Sequence, residues 1–200
     1  MANKNILLGL TTTPGSDWRE KIEECKKFGL TEIALFPTFI DIEKRKELYA
    51  LLEKSPVKSI PHVHLRNDME IWELEMFIEK YGTQVFNIHP RKSGHPFDYE
   101  KFSAYKHMTY LENQEYVPKD DEVEMFAGFC IDFTHWTSDF IKGNIRHNKS
   151  YRNFEERIRK FGAGVAHVSA IRSFLGFINY DSHMMRDLKD LDYMKSYREF

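Results

Sequence analysis

Short apolar runs of about five to eight residues alternate with longer amphipathic stretches along the whole chain, the pattern of strands and helices taking turns. Asn5–Thr12 reads as a strand. Pro14-Gly15-Ser16-Asp17 then turns the chain into a helix from Trp18 to about Phe28, with Ser16 or Asp17 as its cap and Gly29 as its stop. Glu32–Phe36 is the next strand, ended by Pro37, and Ile42–Lys54 is a helix with Leu48, Leu51 and Leu52 on one face. The pattern continues through strand Ser59–Leu65, helix Met69–Tyr81 closed by Gly82, and strand Val85–His89 stopped by Pro90. A short helix Tyr99–Tyr105, strand His107–Glu112, helix Asp120–Ala127 and strand Gly128–His135 follow. A helical stretch with a loop near Gly143–Asn148 runs to Phe161, Ala163–Ile171 is the seventh strand, and Met184–Tyr197 is the last helix.

Strand and helix alternating seven times predict a parallel sheet covered by helices, an α/β fold. The first strand is not followed by Gly-x-Gly-x-x-Gly, which argues against a dinucleotide-binding sheet. Nearly every run after the second ends in a potential metal ligand, and in a parallel (β/α) barrel all strand C-termini open onto one face. A barrel is therefore favoured over an open sheet. No eighth strand precedes Phe200, so the expectation is a single domain over residues 1–200 that lacks its last strand or is truncated at its C-terminus. The open edge between first and seventh strands would invite oligomerisation.

Composition narrows the class. With 200 residues and 42% hydrophobic content, the chain can bury a sizeable core in one domain. A net charge of −2 exerts no general pull on nucleic acid or anionic membranes. Cys25 and Cys130 are too few and too scattered for a disulfide framework, and read as reduced core residues of a cytoplasmic protein. The apolar run that follows the first five residues is too short for a signal-peptide core, and nothing later approaches a membrane span, so no membrane partner is expected.

The candidate chemistry lies at the strand ends. Ile60-Pro61-His62-Val63-His64 offers two imidazoles on one face, with His64 nearer the strand end and His62 still open as the ligand. His89 ends the next strand, Glu112 the one after, Asp132 the sixth, with His135 just past it on a loop, and His167 falls in the seventh. Asp181 and His183, two residues apart, can grip one ion from a loop. A lone buried histidine is more often a hydrogen-bonded core residue than a ligand, and Asp181 alone can cap the final helix. Together the residues mean more, because buried acids are costly unless paired or bound to metal. Imidazoles with carboxylates suit a divalent metal such as zinc, manganese or iron(II), in one to three ions, and no cysteine joins the set. His95, His107 and His147 do not fall at strand ends.

The order His, His, Glu, Asp-x-x-His, His, Asp-x-His resembles the xylose-isomerase-like TIM barrels, and within them endonuclease IV. Asn87-Ile88-His89-Pro90, Glu112-Asn113 and Asp132-Phe133-Thr134-His135 carry the likeness, and as a pattern of elements it covers about residues 5–190. The resemblance implies that His64 (or His62), His89 and Glu112 hold one metal. Glu112 would bridge to a second shared with Asp132 and His167, and His135, Asp181 and His183 would hold a third. The sugar epimerases of the same superfamily share Glu112, Asp132, His135 and His167 without the Asp-x-His pair. His167-Val168-Ser169-x-x-Arg172 is similar to ultraviolet-damage endonucleases, whose metal-site lysine would fall near Val165 and is absent. The family's final glutamate, on the eighth strand, has no counterpart before Phe200.

Two chemistries remain open on this scaffold. In an isomerase or epimerase, Glu112 would move a proton beside the metal, while His135 and Arg172 bind substrate hydroxyls or a phosphate. In a zinc phosphodiesterase of the endonuclease IV kind, two or three ions would act on damaged DNA, and Asp181-x-His183 favours that reading. Charge favours the small-molecule enzyme: only residues 142–160 look basic, through Lys142, Arg146, Lys149, Arg152, Arg157, Arg159 and Lys160, and Glu155 and Glu156 interrupt them. Trp136, beside His135, is placed to stack on a sugar ring. The leading expectation is a metal-dependent isomerase or epimerase of a small sugar or sugar phosphate. The alternatives are the phosphodiesterase and a non-catalytic barrel that only binds metal or ligand.

Overall fold

The computed structural model describes residues 6–93, 98–114, 116–141, 151–174, 178–182 and 185–197, with 138–141, 172–174 and 178–182 as backbone only. The chain packs as two compact units, Met1–Asn87 with Asp98–Ser103 and Ile88–Phe97 with Ala104–Phe200. Helices alternate with parallel strands in both, which makes the protein α/β. Among the described residues no helix is long and apolar enough to cross a membrane.

In the first unit β1 (Gly9–Thr11), β2 (Glu32–Phe36), β3 (Ser59–His64) and β4 (Val85–Ile88) lie side by side in sequence order, all parallel. Asn5 lies outside the described residues, and Ile6 and Leu8 are exposed, so the first strand is shorter than its apolar run. Ile33, Ala34 and Leu35 of β2 are all buried, as expected of a parallel strand covered on both faces. The helices are α1 (Trp18–Phe28), α2 (Ile42–Glu53) and α3 (Ile71–Tyr81). Asp17 caps α1 by accepting from the Arg19 and Glu20 amides, and Gly29 ends it in the left-handed conformation at φ 63°. Glu70 and Glu73 form a capping box at the start of α3, and Gly82 closes that helix at φ 64°.

The stripe of α2 that faces the core carries Leu48 and Leu52, but also Arg45 and Tyr49. Arg45 is fully buried and grips the equally buried Glu73 with two bonds, Nε to Oε2 at 2.8 Å and Nη2 to Oε1 at 3.0 Å. The Tyr49 hydroxyl donates to Glu73 Oε2 at 2.6 Å, and Arg45 Nη1 reaches Asp68 and the Ile40 carbonyl. Burial opposes the Arg45 charge, but the Glu73 carboxylate outweighs it and raises the guanidinium pKa further.

In the second unit β5 (Thr109–Glu112), β6 (Phe129–Asp132) and β7 (Ala163–His167) are parallel and adjacent in that order. A 3-10 turn over Ser103–Met108 leads into β5, in place of the helix expected at Tyr99–Tyr105. The helices are α4 (Asp120–Val123), α5 (Phe133–Ile141) and α6 (Phe154–Phe161), with a 3-10 stretch at Leu188–Tyr197 in place of the expected last α-helix. All four β6 residues are buried, whereas β7 is largely exposed.

The seventh strand departs from its expected span of Ala163–Ile171. It stops at His167, and β8 (Ala170–Phe174) turns back as an antiparallel hairpin with β9 (Ile178–Ser182). Side chains cause the break. The Ser169 amide and hydroxyl both bond Thr134 Oγ1 at 3.0 Å, and the Ser169 carbonyl accepts from the Tyr193 hydroxyl at 2.9 Å. Both backbone groups of Ser169 are thus taken off the ladder.

Candidate metal centre

Strand register assembles the site. Glu112, the last residue of β5, stands opposite Cys130, and Asp132, the last of β6, stands opposite His167 of β7. Cys130 and Asp132 are two apart on one strand and share a face. Asn113, fully buried, braces the strand ends: its amide nitrogen donates to the Asp132 carbonyl at 2.9 Å, and its oxygen accepts from the Asp132 amide at 2.8 Å.

Beyond Asp132 the expected loop does not form; α5 starts at once with Phe133, and His135 sits in its first turn. Asp132 Oδ1 accepts from the His135 amide at 2.8 Å, capping that turn. The bond fixes the backbone of His135 beside the carboxylate, and His135 Nε2 lies 3.9 Å from Asp132 Oδ2. His167 turns Nδ1 toward both carboxylates, 3.4 Å from Glu112 Oε2 and 3.9 Å from Asp132 Oδ2. Glu112 and Asp132 are buried, while the His135 side chain keeps 29% of its surface exposed.

Glu112 is shared between groups of donors. Glu112, Asp132 and His135 each offer one ligand atom within 4.8 Å of the others, and so do Glu112, Cys130 and His167. His89, one residue past β4, also presents a ligand atom within 4.8 Å of one on Glu112. Donors on a four-coordinate cation at about 2.1 Å stand about 3.4 Å apart, so the His167–Glu112 spacing fits a shared divalent ion, and the 3.9 Å spacings to Asp132 are wider. The donor set, buried carboxylates with neutral-capable imidazoles, also fits zinc or manganese by chemistry.

Electrostatics within the cluster are coupled. Burial pushes the Asp132 carboxyl up; His135 and His167 oppose that, and the Glu112 charge adds to it. Burial alone would lower the His167 pKa, but Glu112, by charge and hydrogen bond, together with Asp132, raises it. Burial drives the Cys130 thiol well above its ordinary value, helped by the charges of Glu112 and Asp132. Cys130, expected to stand outside the set, lies among these potential donors, with Sγ 3.4 Å from His167 Nε2. Strand alternation carried the signal, since Cys130 precedes Asp132 by two residues. Asn113 entered the sequence reading only through the Glu112-Asn113 likeness, because its role is to hold backbone.

The remaining expected site residues fall as follows. His62 and His64 belong to the first unit, buried at the end of β3. His62 Nε2 lies 2.7 Å from Asn87 Oδ1, and His64 Nδ1 accompanies the Leu65 carbonyl at 2.9 Å. Arg172 pairs with Tyr180 and Asp181 with Ile171 inside the hairpin, both described as backbone only, so Asp181 stands on a strand and not on the expected loop. His183 lies outside the described residues, as do His95, His147, Lys142, Arg146 and Lys149. Trp136 is not an exposed platform: it is 4% exposed and packed against Phe133, Tyr151, Phe154 and Tyr197. Of the basic stretch, Arg157 and Lys160 pair with Asp120 at 2.7 and 3.0 Å.

Compared with protein-family models, curated proteins and solved structures, the chain matches none of them.

Proposed function

We propose that the protein is a metal-dependent isomerase or epimerase of a small sugar or sugar phosphate, of the xylose-isomerase-like class its ligand order resembles. The supporting observation is the meeting of the buried Glu112 and Asp132, at the C-terminal ends of adjacent parallel strands, with the half-buried imidazoles of His135 and His167, 3.4 to 3.9 Å from a carboxylate oxygen. Glu112, Asp132 and His167 would hold the ion. When bound, it supplies Lewis-acid polarisation of a carbonyl and its neighbouring hydroxyl. Glu112 is sheltered from water, and a carboxylate so placed can take and return a proton at the carbon beside the carbonyl. Asp132 orients His135 through the amide bond at the start of α5, and His135, the most exposed of the four, is the one positioned to meet a substrate hydroxyl.

The test is aldose–ketose exchange measured as deuterium uptake from D2O beside the carbonyl, before and after chelation and with metal restored. Chelation should abolish uptake, and Glu112→Gln should lower kcat by about a hundredfold or more with the fold retained. Undiminished uptake in Glu112→Gln would remove this mechanism. Metal content per chain separates the two chemistries. One ion supports the isomerase, whereas two or three zinc ions with cleavage of an abasic-site duplex would establish the phosphodiesterase instead.

A further inference from the structure

Two cysteines of this chain are buried, and they are not alike. Cys25 sits on α1 and belongs to no group of potential ligands among the described residues. Cys130 sits in the middle of β6 with no exposed surface, on the face that also presents Asp132, and directly opposite Glu112 in the β5 register. Its Sγ is 3.4 Å from His167 Nε2, and with Glu112 and His167 it offers three donor atoms within 4.8 Å of one another. Sulfur and nitrogen on one tetrahedral zinc, at about 2.3 and 2.05 Å, stand about 3.6 Å apart. The observed spacing is therefore close to that of two ligands of a single ion.

We propose that Cys130 is a metal ligand, and that Glu112, Cys130 and His167 form a sulfur-containing position that selects a thiophilic divalent ion such as Zn²⁺ over Mg²⁺ or Mn²⁺. This rests on the metal-centre reading above and adds to it the class of ion. Thiolate is a soft ligand, and carboxylate is a hard one that suits every candidate ion, so selectivity comes from the sulfur. As the ion binds, the metal–sulfur bond replaces the S–H bond and the thiol proton passes to the solvent buffer. No oxidation is involved. A single ion takes one nitrogen of His167: Nε2 lies toward Cys130 and Nδ1 toward Glu112 and Asp132, and the sulfur-containing position uses Nε2.

The experiment uses the full chain, treated with chelator, kept reduced and titrated with Co²⁺. Thiolate bound to cobalt gives a near-ultraviolet charge-transfer band that carboxylate and imidazole do not. The band should rise to a plateau, persist in Cys25→Ser and vanish in Cys130→Ser. Zn²⁺ affinity in Cys130→Ser, read by competition with a chromophoric chelator, should fall about tenfold or more, with Mn²⁺ affinity little changed. Cys130 is the only sulfur left to a Cys25→Ser protein that can form a thiolate, so the assignment holds even if Cys130→Ser fails to fold. Cobalt absorption in the visible without the charge-transfer band would overturn the role of Cys130 and leave the metal centre standing. No cobalt bound at all would overturn both.

Discussion

Arg45 and Glu73 are both fully buried, and the geometry around them shows how the first unit tolerates charge in its core. Two parallel bonds join guanidinium and carboxylate, the Tyr49 hydroxyl takes a further lone pair of Glu73, and Asp68 and the Ile40 carbonyl occupy the rest of the Arg45 donors. Such a pair adds little net stability against an apolar pair of the same volume, but breaking it strands a charge. Glu73→Ala should therefore cost about 3–5 kcal/mol in urea unfolding, whereas Arg45→Met with Glu73→Leu should recover most of that loss. A single variant as stable as the parent would mean the charges are solvated in a way the geometry does not show. Glu112 and Asp132 differ in kind, since they face imidazoles and a thiol, groups that a divalent ion can share with them. That contrast is what separates a structural ion pair from a candidate centre.

Elements place these residues through small irregularities. Between β6 and β7 the register slips: Phe129 faces Ala163, but Cys130 faces Val165, which leaves Gly164 as the extra residue of a bulge. The Tyr110 ring lies directly over Gly164, in the space a Cβ would need. Tyr110 is two residues before Glu112 on β5, so the same face of that strand carries both the filler and the proposed ligand. Gly164→Ala should force the ring aside, cost about 1–3 kcal/mol and weaken the proposed metal binding through Glu112. Pairing it with Tyr110→Ala should restore stability, and an additive loss in the double variant would show that the two positions do not compete for space. Gly128 is a stricter case of the same kind, with φ of 133° and the Gly162 carbonyl 2.6 Å from where a Cβ would stand. The caps were readable from local signals, since Asp17, Gly29 and Gly82 do their capping within one turn of their own helices, whereas the helices expected at Tyr99–Tyr105 and Met184–Tyr197 give way to 3-10 stretches.

For the molecule as a whole, the proposed metal binding is linked to folding, because the donors converge only in the folded chain. Zinc at about a hundredfold above its Kd should add about 2.7 kcal/mol of stability, read as a higher Tm than in chelator. The sign of the pH dependence follows from the shifted groups. The raised pKa of His167 means that its proton stabilises the metal-free fold fully below the unfolded value and less as pH rises through the folded value. Zinc must displace that proton, so its stabilising increment should be largest above the raised pKa and shrink as pH falls through it. The raised Asp132 carboxyl extends the loss to lower pH. An increment independent of pH across the histidine range would exclude His167 as a ligand. The sequence by itself determined the alternation of strands and helices, the caps, and the presence of acids and imidazoles at strand ends, since periodicity and capping act within one or two turns of chain. Tertiary structure decided which of those residues meet. Cys130 beside His167, Asn113 across two strand ends, Arg45 inside the core and the hairpin after Ser169 all depend on register and on contacts between segments far apart in sequence. No single segment encodes a register, because it is set by the packing of two.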